Sequence, residues 1–271
     1  MIEVLHLFPK LNGSLIELME DLSPAQWNSP TICKKWTVKD IAAHLLDTAL
    51  RRVSSGRDDY FGHAPEILSY QDLLNFLNTL NAEWVEAYKR VSPQVLVSQM
   101  SVAQDQFYDY LKTLDLKAPA LFPVSWAGED ESQNWFDVCR EYTERWHHQQ
   151  QIRLAVGAKS ILDHELYNPF LNISMLALPF HYRTKSAPEG TVVTIRVVGD
   201  AGGIWSIVRN NNSWKFLGTD SDSRNQVFID QNIAWMLLSK GLDIYEAEQY
   251  WQIIGDYELG FHALKMTAFM V

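Results

Sequence analysis

The chain has 271 residues, of which 47% are hydrophobic, and a formal net charge of −10; this composition indicates a globular protein and excludes a disordered chain. Its basic residues are scattered, which excludes nucleic acid as a partner, since phosphate binding needs clustered Lys and Arg. With no signal peptide, no apolar run of the roughly 20 residues that cross a bilayer and only two cysteines, we expect a soluble, cytoplasmic protein with reduced thiols and no membrane partner.

The first two thirds of the chain predict helices, because apolar residues recur there at helical spacing. One helix is predicted in "TVKDIAAHLLDTALRR", where Thr37 is the expected N-cap and Asp40 its capping-box partner. Two more are predicted in "SYQDLLNFLNTLNAEWVEAYKRV" and "SPQVLVSQMSVAQDQFYDYLKTL", the latter capped by Ser92. A further helix contains "ERWHHQQQIR" and is expected to end near Gly157.

After about residue 165 one more helix is predicted in "LYNPFLNISMLALPFHYR", interrupted at Pro179. Short β-branched and aromatic segments then predict strands in "TVVTIRVVGD", "GIWSIVRN", "SWKFLG" and "NQVFIDQ", with a hairpin turn at "RNNNSW". Helices return in "NIAWMLLSKG" and "YELGFHALKMTAFM". We therefore predict an α-helical domain over 1–165 and a smaller α+β domain over 166–271, with a linking helix at about 166–188.

The segment "ERWHHQQQIR" carries Glu144 and His148 about 40° apart on the helix, whereas His147 points about 100° away and cannot easily join them. One interpretation is a solvated polar face, because the stripe also contains Asp137, Glu141 and Gln151, and Tyr142 and Trp146 lie opposite. The other is half of a metal site.

His44 lies on the otherwise apolar face of the helix predicted in "TVKDIAAHLLDTALRR". A buried, hydrogen-bonded histidine is one interpretation. The alternative is a centre shared with Glu144 and His148, since two His and one Glu are the ligand set of an open catalytic zinc site.

These motifs resemble those of the mycothiol-dependent maleylpyruvate isomerase family, within the DinB-like four-helix superfamily. The residues of the first motif are Thr31, Cys33, Trp36, Thr37, Val38 and His44. The second is Glu144 and His148, followed at position 151 by glutamine where that family usually has aspartate. The C-terminal part, with "GIWSIV" and "IIGDYELG", is similar to that family's sterol-carrier-like second domain.

The resemblance implies a DinB-like four-helix bundle followed by a smaller sterol-carrier-like α+β domain. It also implies a divalent metal held by His44, Glu144 and His148, with zinc expected and nickel or manganese as alternatives. The implied partners are a low-molecular-weight thiol and a small electrophilic substrate, and the implied activity is that of a thiol-using isomerase or S-transferase. The alternative is a non-catalytic small-molecule or metal-binding protein of the stress-response type. A homodimer is left open.

Two departures from the family pattern bear on the expected activity. Gln151 cannot supply the charge of the usual aspartate, which puts its supporting role at the metal in doubt. Lys240 stands where the family usually has arginine, and it is the candidate cofactor-binding residue. The remaining histidines, among them His181 and His262, show no partner pattern.

Overall fold

We describe the protein from a computed structural model that covers residues 1–62, 65–217 and 223–268. These residues form ten α-helices and five β-strands, and none of these helices has the length and apolar character needed to cross a membrane. The helices are α1 Phe8–Glu20, α2 Pro24–Trp27, α3 Val38–Gly56, α4 Tyr70–Tyr88, α5 Pro93–Thr113, α6 Asn134–Val156, α7 His164–Met175, α8 Leu178–His181, α9 Gln231–Leu238 and α10 Tyr257–Leu264. The strands are β1 Val192–Val198, β2 Gly203–Asn210, β3 Ser213–Leu217, β4 Asn225–Asp230 and β5 Trp251–Ile254.

Side-chain caps define where the predicted helices begin. The Thr37 hydroxyl accepts from the Asp40 N–H, and the Asp40 carboxylate accepts from the Thr37 N–H, so the predicted capping box is confirmed. Ser69 and Ser92 cap α4 and α5 through their side chains, and the cap at Ser92 is the predicted one. The cap at Thr37 matters for the site, because it sets the register in which α3 buries His44 beside Ile41.

Helices α1–α5 are held together by apolar packing. Helix α5 contacts α1 and α3, and α3 also contacts α2 and α4. Phe8 of α1 and Phe107 of α5 lie with their ring centroids 6.0 Å apart, and the guanidinium of Arg145 lies 3.8 Å from the Phe107 centroid. The central position of α3 in this packing explains why all but one residue from Ile41 to Ala49 is buried.

The C-terminal part contains a five-stranded mixed sheet in the order β3-β2-β1-β4-β5. Strands β1 and β4 are parallel, and the other neighbours are antiparallel. Helices α9 and α10 contact β1 and β4 on the face that buries Val193, Ile195 and Val227. The predicted hairpin turn is confirmed, since Asn211 and Asn212 have the positive φ values, 50° and 60°, that such turns require.

The predicted fold class is confirmed as a helical N-terminal region followed by an α+β part, but three boundaries differ from the prediction. Strand β5 was not predicted, because it is a four-residue edge strand without a buried residue. The predicted helix over "LYNPFLNISMLALPFHYR" breaks after Met175, so that Pro179 lies in the first turn of α8, where a proline is tolerated. Helix α10 ends at Leu264, and positions 269 and 270 of that predicted helix lie outside the described residues.

His181 and His262, which show no partner pattern in the sequence, form a pair that links α8 to α10. Their rings stack with centroids 4.0 Å apart and planes 13° apart. His181 Nε2–H donates to the His262 carbonyl at 2.7 Å, and His262 Nε2–H donates to the His181 carbonyl at 3.0 Å. The two residues are 81 positions apart in sequence, a separation that no local pattern reveals.

The contacts divide the chain into two compact units, and the division falls within helix α6. Residues of α6 up to Glu144 belong with the sheet, and those from Arg145 belong with α1–α5. The boundary between residues 165 and 166 stays a prediction. One unit consists of Glu3–Leu121 and Arg145–Ser160, and the other of Met1–Ile2, Phe122–Glu144 and the chain from Ile161 onward.

Candidate metal centre

Helix α6 is polar but buried on all sides over most of its length, so the solvated-face interpretation was wrong. On the stripe that was expected to meet solvent, Asp137 is 0% exposed, Gln151 5% and His148 8%. On the opposite face, Tyr142 and Trp146 are also fully buried. Buried polar side chains need partners, since desolvation without compensation costs roughly 1–3 kcal/mol for each group.

Three side chains of α3 and α6 converge on one point. His44, Glu144 and His148 each offer one ligand atom, and these atoms all lie within 4.8 Å of one another. The rings of His44 and His148 meet edge to face with centroids 4.9 Å apart. Both histidines are buried, and Glu144 is half-buried. The three residues that the sequence analysis named as candidate ligands therefore form a cluster that is largely shielded from solvent.

The donor set of this cluster fits a divalent metal ion. Zinc binds imidazole nitrogen and carboxylate oxygen at about 2.0–2.2 Å, which places neighbouring ligand atoms about 3.4 Å apart around one ion. The ligand atoms of the cluster lie at most 4.8 Å apart. They therefore need to approach one another by little more than about 1 Å to bind one ion, which small side-chain rotations achieve. Two nitrogens and one oxygen suit zinc or nickel better than manganese, which prefers oxygen ligands.

Trp36 flanks the two histidines of the cluster. Its ring centroid lies 4.9 Å from that of His44 and 6.2 Å from that of His148. The loop that carries it is closed by two hydrogen bonds, from the Thr31 hydroxyl to the Trp36 carbonyl at 2.8 Å and from the Trp36 N–H to the Cys33 carbonyl at 2.8 Å. Trp36 itself is half-buried, so one side of the cluster is covered by an aromatic wall.

Three acidic residues and two arginines lie in the turns of α6 that precede His148. Arg140 forms ion pairs with Asp137 and with Glu141, the latter at 3.5 Å. Burial disfavours the Arg140 cation, but Asp137, Glu141 and Glu144 together raise its pKa, so it stays charged. Arg145, which lies over the Phe107 ring, is the second arginine of this segment, so three carboxylates face two arginines. The remaining excess of one negative charge favours a bound cation.

Gln151 contacts both adjacent histidines. Its Oε1 lies 2.8 Å from His148 Nδ1, and its Nε2 lies 3.2 Å from His147 Nε2. Gln151 lacks the charge of the usual aspartate, but its amide still contacts the expected ligand His148. The link between His147 and Gln151 was not predicted, although their spacing of four residues places them on one face of a helix.

The two cysteines lie outside the cluster and carry free thiols. Cys139 donates from Sγ to the Ile2 carbonyl at 3.4 Å, and burial raises its pKa to about 12. Burial also raises the pKa of Cys33. Both thiols are therefore protonated near neutrality, which disfavours them as metal ligands or nucleophiles.

Lys240, the candidate cofactor-binding residue, is exposed and follows the C-cap of α9. Its φ of 54° places it in the left-handed region. Its N–H donates to the Leu237 carbonyl at 3.2 Å, and the Gly241 N–H donates to the Met236 carbonyl at 2.8 Å, which together form a Schellman motif. Binding of a thiol or substrate by Lys240 stays a prediction.

Lys240→Gly should stabilise the fold, because glycine adopts the left-handed conformation without the cost of about 1–2 kcal/mol that an L side chain meets there. The greater freedom of glycine in the unfolded chain offsets part of this gain, so we expect about 0.5–1 kcal/mol and a rise in Tm of about 1–4 °C. Differential scanning calorimetry measures the shift, with Lys240→Arg as the control that keeps both charge and strain. An unchanged or lower Tm for Lys240→Gly would show that no strain is held at this position.

Comparison with known proteins places the chain in a family. The model of the mycothiol maleylpyruvate isomerase N-terminal domain matches residues 9–153. No curated protein matches the chain. Two crystal structures of the mycothiol-dependent maleylpyruvate isomerase share its fold. A histidine-to-alanine mutant has 10% identity and a TM-score of 0.55, and the alignment covers 92% of this chain and 90% of that one. For the second structure the identity is 11%, the TM-score is 0.53 and the alignment covers 86% of each chain. Because the family match spans more than half of the sequence, the chain belongs to the mycothiol maleylpyruvate isomerase N-terminal domain family.

Proposed function

We propose that the protein is a thiol-dependent isomerase that acts on a small electrophilic substrate with the help of a bound divalent metal ion. The observation that carries this proposal is the buried cluster of His44, Glu144 and His148, in a chain that belongs to this family. The name of the two similar structures, mycothiol-dependent maleylpyruvate isomerase, supports a thiol as co-reactant. A cytoplasmic location, where thiols stay reduced, fits such a co-reactant.

In this proposal His44, Glu144 and His148 hold the ion, with zinc favoured by the donor set. Three protein ligands leave one position open for an exogenous group, as in catalytic zinc sites. When bound, the ion supplies a positive charge that lowers the pKa of a thiol, so that thiolate is present near neutral pH. Trp36 covers one side of the cluster, where its indole excludes water and offers a flat surface to a conjugated substrate.

The proposed reaction begins when the sulfur anion adds to one carbon of a double bond conjugated to a carbonyl group. A C–S bond forms, the π electron pair moves towards the carbonyl, and the former double bond becomes a single bond that rotates. The electron pair then returns, the C–S bond breaks and the thiolate leaves, so the product is the geometric isomer with no net redox change. If the adduct instead takes up a proton, the same site performs S-transfer.

Cobalt substitution tests whether a thiol reaches the proposed open position. In the Co²⁺ protein, mycothiol or cysteine should produce a sulfur-to-cobalt charge-transfer band in the near ultraviolet. Because binding as thiolate releases a proton, the apparent affinity should rise about tenfold per pH unit below the thiol pKa of about 8.5. The His44→Ala protein should show no band.

A protein that binds Co²⁺ at this cluster but gives no band with any thiol would overturn the thiol-dependent activity. The alternative of a non-catalytic metal-binding or small-molecule-binding protein would then take its place. Turnover is tested separately, by proton NMR of a cis-configured conjugated keto acid mixed with the zinc protein and each thiol.

A further inference from the structure

The hydrogen bonds of Gln151 fix the protonation pattern of two neighbouring histidines. A carbonyl oxygen only accepts, so the 2.8 Å contact with Gln151 Oε1 requires His148 Nδ1 to carry the proton. An amide NH₂ only donates, so the 3.2 Å contact with Gln151 Nε2 requires His147 Nε2 to accept. The two histidines and the amide are all buried, with exposed fractions between 5% and 8%.

We infer that Gln151 is a positioning residue that holds His148 in its Nδ1–H tautomer, and that His147 holds the Gln151 amide in the orientation this requires. In that tautomer His148 can offer only Nε2 to an ion, because Nδ1 is already a donor. The opposite amide orientation would place an NH₂ donor against His148 Nδ1 and force the proton onto Nε2. His147 in its Nδ1–H tautomer disfavours that orientation, because its Nε2 lone pair then needs the amide NH₂ as donor.

Glutamine at this position differs in kind from a carboxylate. A carboxylate accepts from both sides, so it would require an N–H from each histidine. The amide instead accepts from His148 and donates to His147, so it favours a His147 ring with its proton on Nδ1. Gln151 therefore orients the ligand His148 without adding negative charge. His147 lies outside the cluster and acts on His148 indirectly, by orienting the Gln151 amide.

The tautomer is measured on the metal-free protein, so this test does not depend on the proposed function. With ¹⁵N-labelled histidine, long-range ¹H–¹⁵N correlation spectra show which ring nitrogen carries the proton, and loss of the signals in His148→Gln and His147→Gln proteins assigns them. We expect the Nδ1–H form for both His147 and His148 in the wild-type protein. A wild-type His148 that is mainly Nε2–H overturns the inference, and no variant is needed for that result.

Variants then test whether Gln151 acts on metal binding, a part of the inference that rests on the proposed function. Gln151→Met should shift His148 towards the Nε2–H form and weaken Zn²⁺ binding about 10- to 100-fold in competition with a chromophoric chelator. Gln151→Glu should rescue both readouts, because its carboxylate accepts from His148 Nδ1–H. The matched control is Gln150→Met, since Gln150 is equally buried on the same helix but donates to Ser160 at 3.2 Å.

Equal tautomer and Zn²⁺ affinity in Gln151→Met and Gln150→Met would overturn the role of Gln151. If the wild-type protein shows the expected tautomers and binds no zinc, the proposed function fails while the positioning contact stands. The two ideas are therefore separated by the same set of samples.

Discussion

Replacing His148 by alanine should abolish tight metal binding, and His44→Ala should do the same from the other helix. Three protein ligands are the minimum for an open zinc site, so either change leaves a two-ligand site. Structural zinc sites bind with roughly 10–16 kcal/mol, so the loss of one ligand costs on the order of 3 kcal/mol, a weakening of about a hundredfold or more. Metal content after dialysis and chelator competition measure this loss.

His147→Ala is the matched comparison, because it removes an adjacent buried histidine that lies outside the cluster. We expect its Zn²⁺ affinity to fall by no more than about tenfold, since His147 lies outside the cluster and contacts Gln151, which in turn contacts the ligand His148. Circular dichroism spectra should show that the variants keep their helical content. Equal losses of metal in His147→Ala and His148→Ala would mean that the ligand assignment on α6 is incorrect.

Local features of this fold were predictable, because short-range chemistry determines them. The capping box of Thr37 and Asp40 depends on a segment of only four residues, and so does the hairpin turn at Asn211 and Asn212. The spacing of Glu144 and His148 is likewise a property of one helix. Each of these predictions needs no knowledge of what lies elsewhere in the chain.

The parts that could not be predicted depend on tertiary contacts. A solvated polar side was one interpretation of helix α6 because of its charges, yet Asp137 is buried and ion-paired with Arg140, and Gln151 is buried between two histidines. His44 lies 100 residues before Glu144. The residues alone left a shared centre as one of two interpretations, and the family resemblance favoured it. The signal that was overlooked is the spacing of Gln151 from both histidines, which is three and four residues.

The pairing of His181 and His262 predicts a second large effect, a steep loss of stability in acid. Both rings donate from Nε2, which a neutral ring can do, and protonation would place two positive charges in rings stacked 4.0 Å apart. Burial lowers the pKa of His181 to about 4 and lowers that of His262, and the nearby cations Arg183, Lys185 and Lys265 act in the same direction. The neutral pair is therefore the form that the fold stabilises.

The sign of the effect follows from proton binding. Between the unfolded pKa of 6.5 and the folded value of about 4 for His181, the unfolded chain binds a proton that the folded protein does not. The contribution of His181 is therefore fully present above pH 6.5 and is lost as the pH falls towards 4, a loss of about 3 kcal/mol. His262 adds to the loss in the same direction.

Urea unfolding followed by tryptophan fluorescence between pH 7.5 and pH 4.5 measures this dependence. His181→Gln removes the titrating ring but keeps an amide donor, so it should be less stable than the wild type at pH 7.5 by about 1 kcal/mol and should lose distinctly less stability on acidification. His164→Gln, a change at an exposed histidine, is the control and should follow the wild-type profile. Carboxylates that titrate in the same pH range affect all three proteins equally, so only the difference between the profiles reports on His181. Parallel profiles for the wild type and His181→Gln would show that the stacked pair does not govern acid stability, and that the loss comes from other groups.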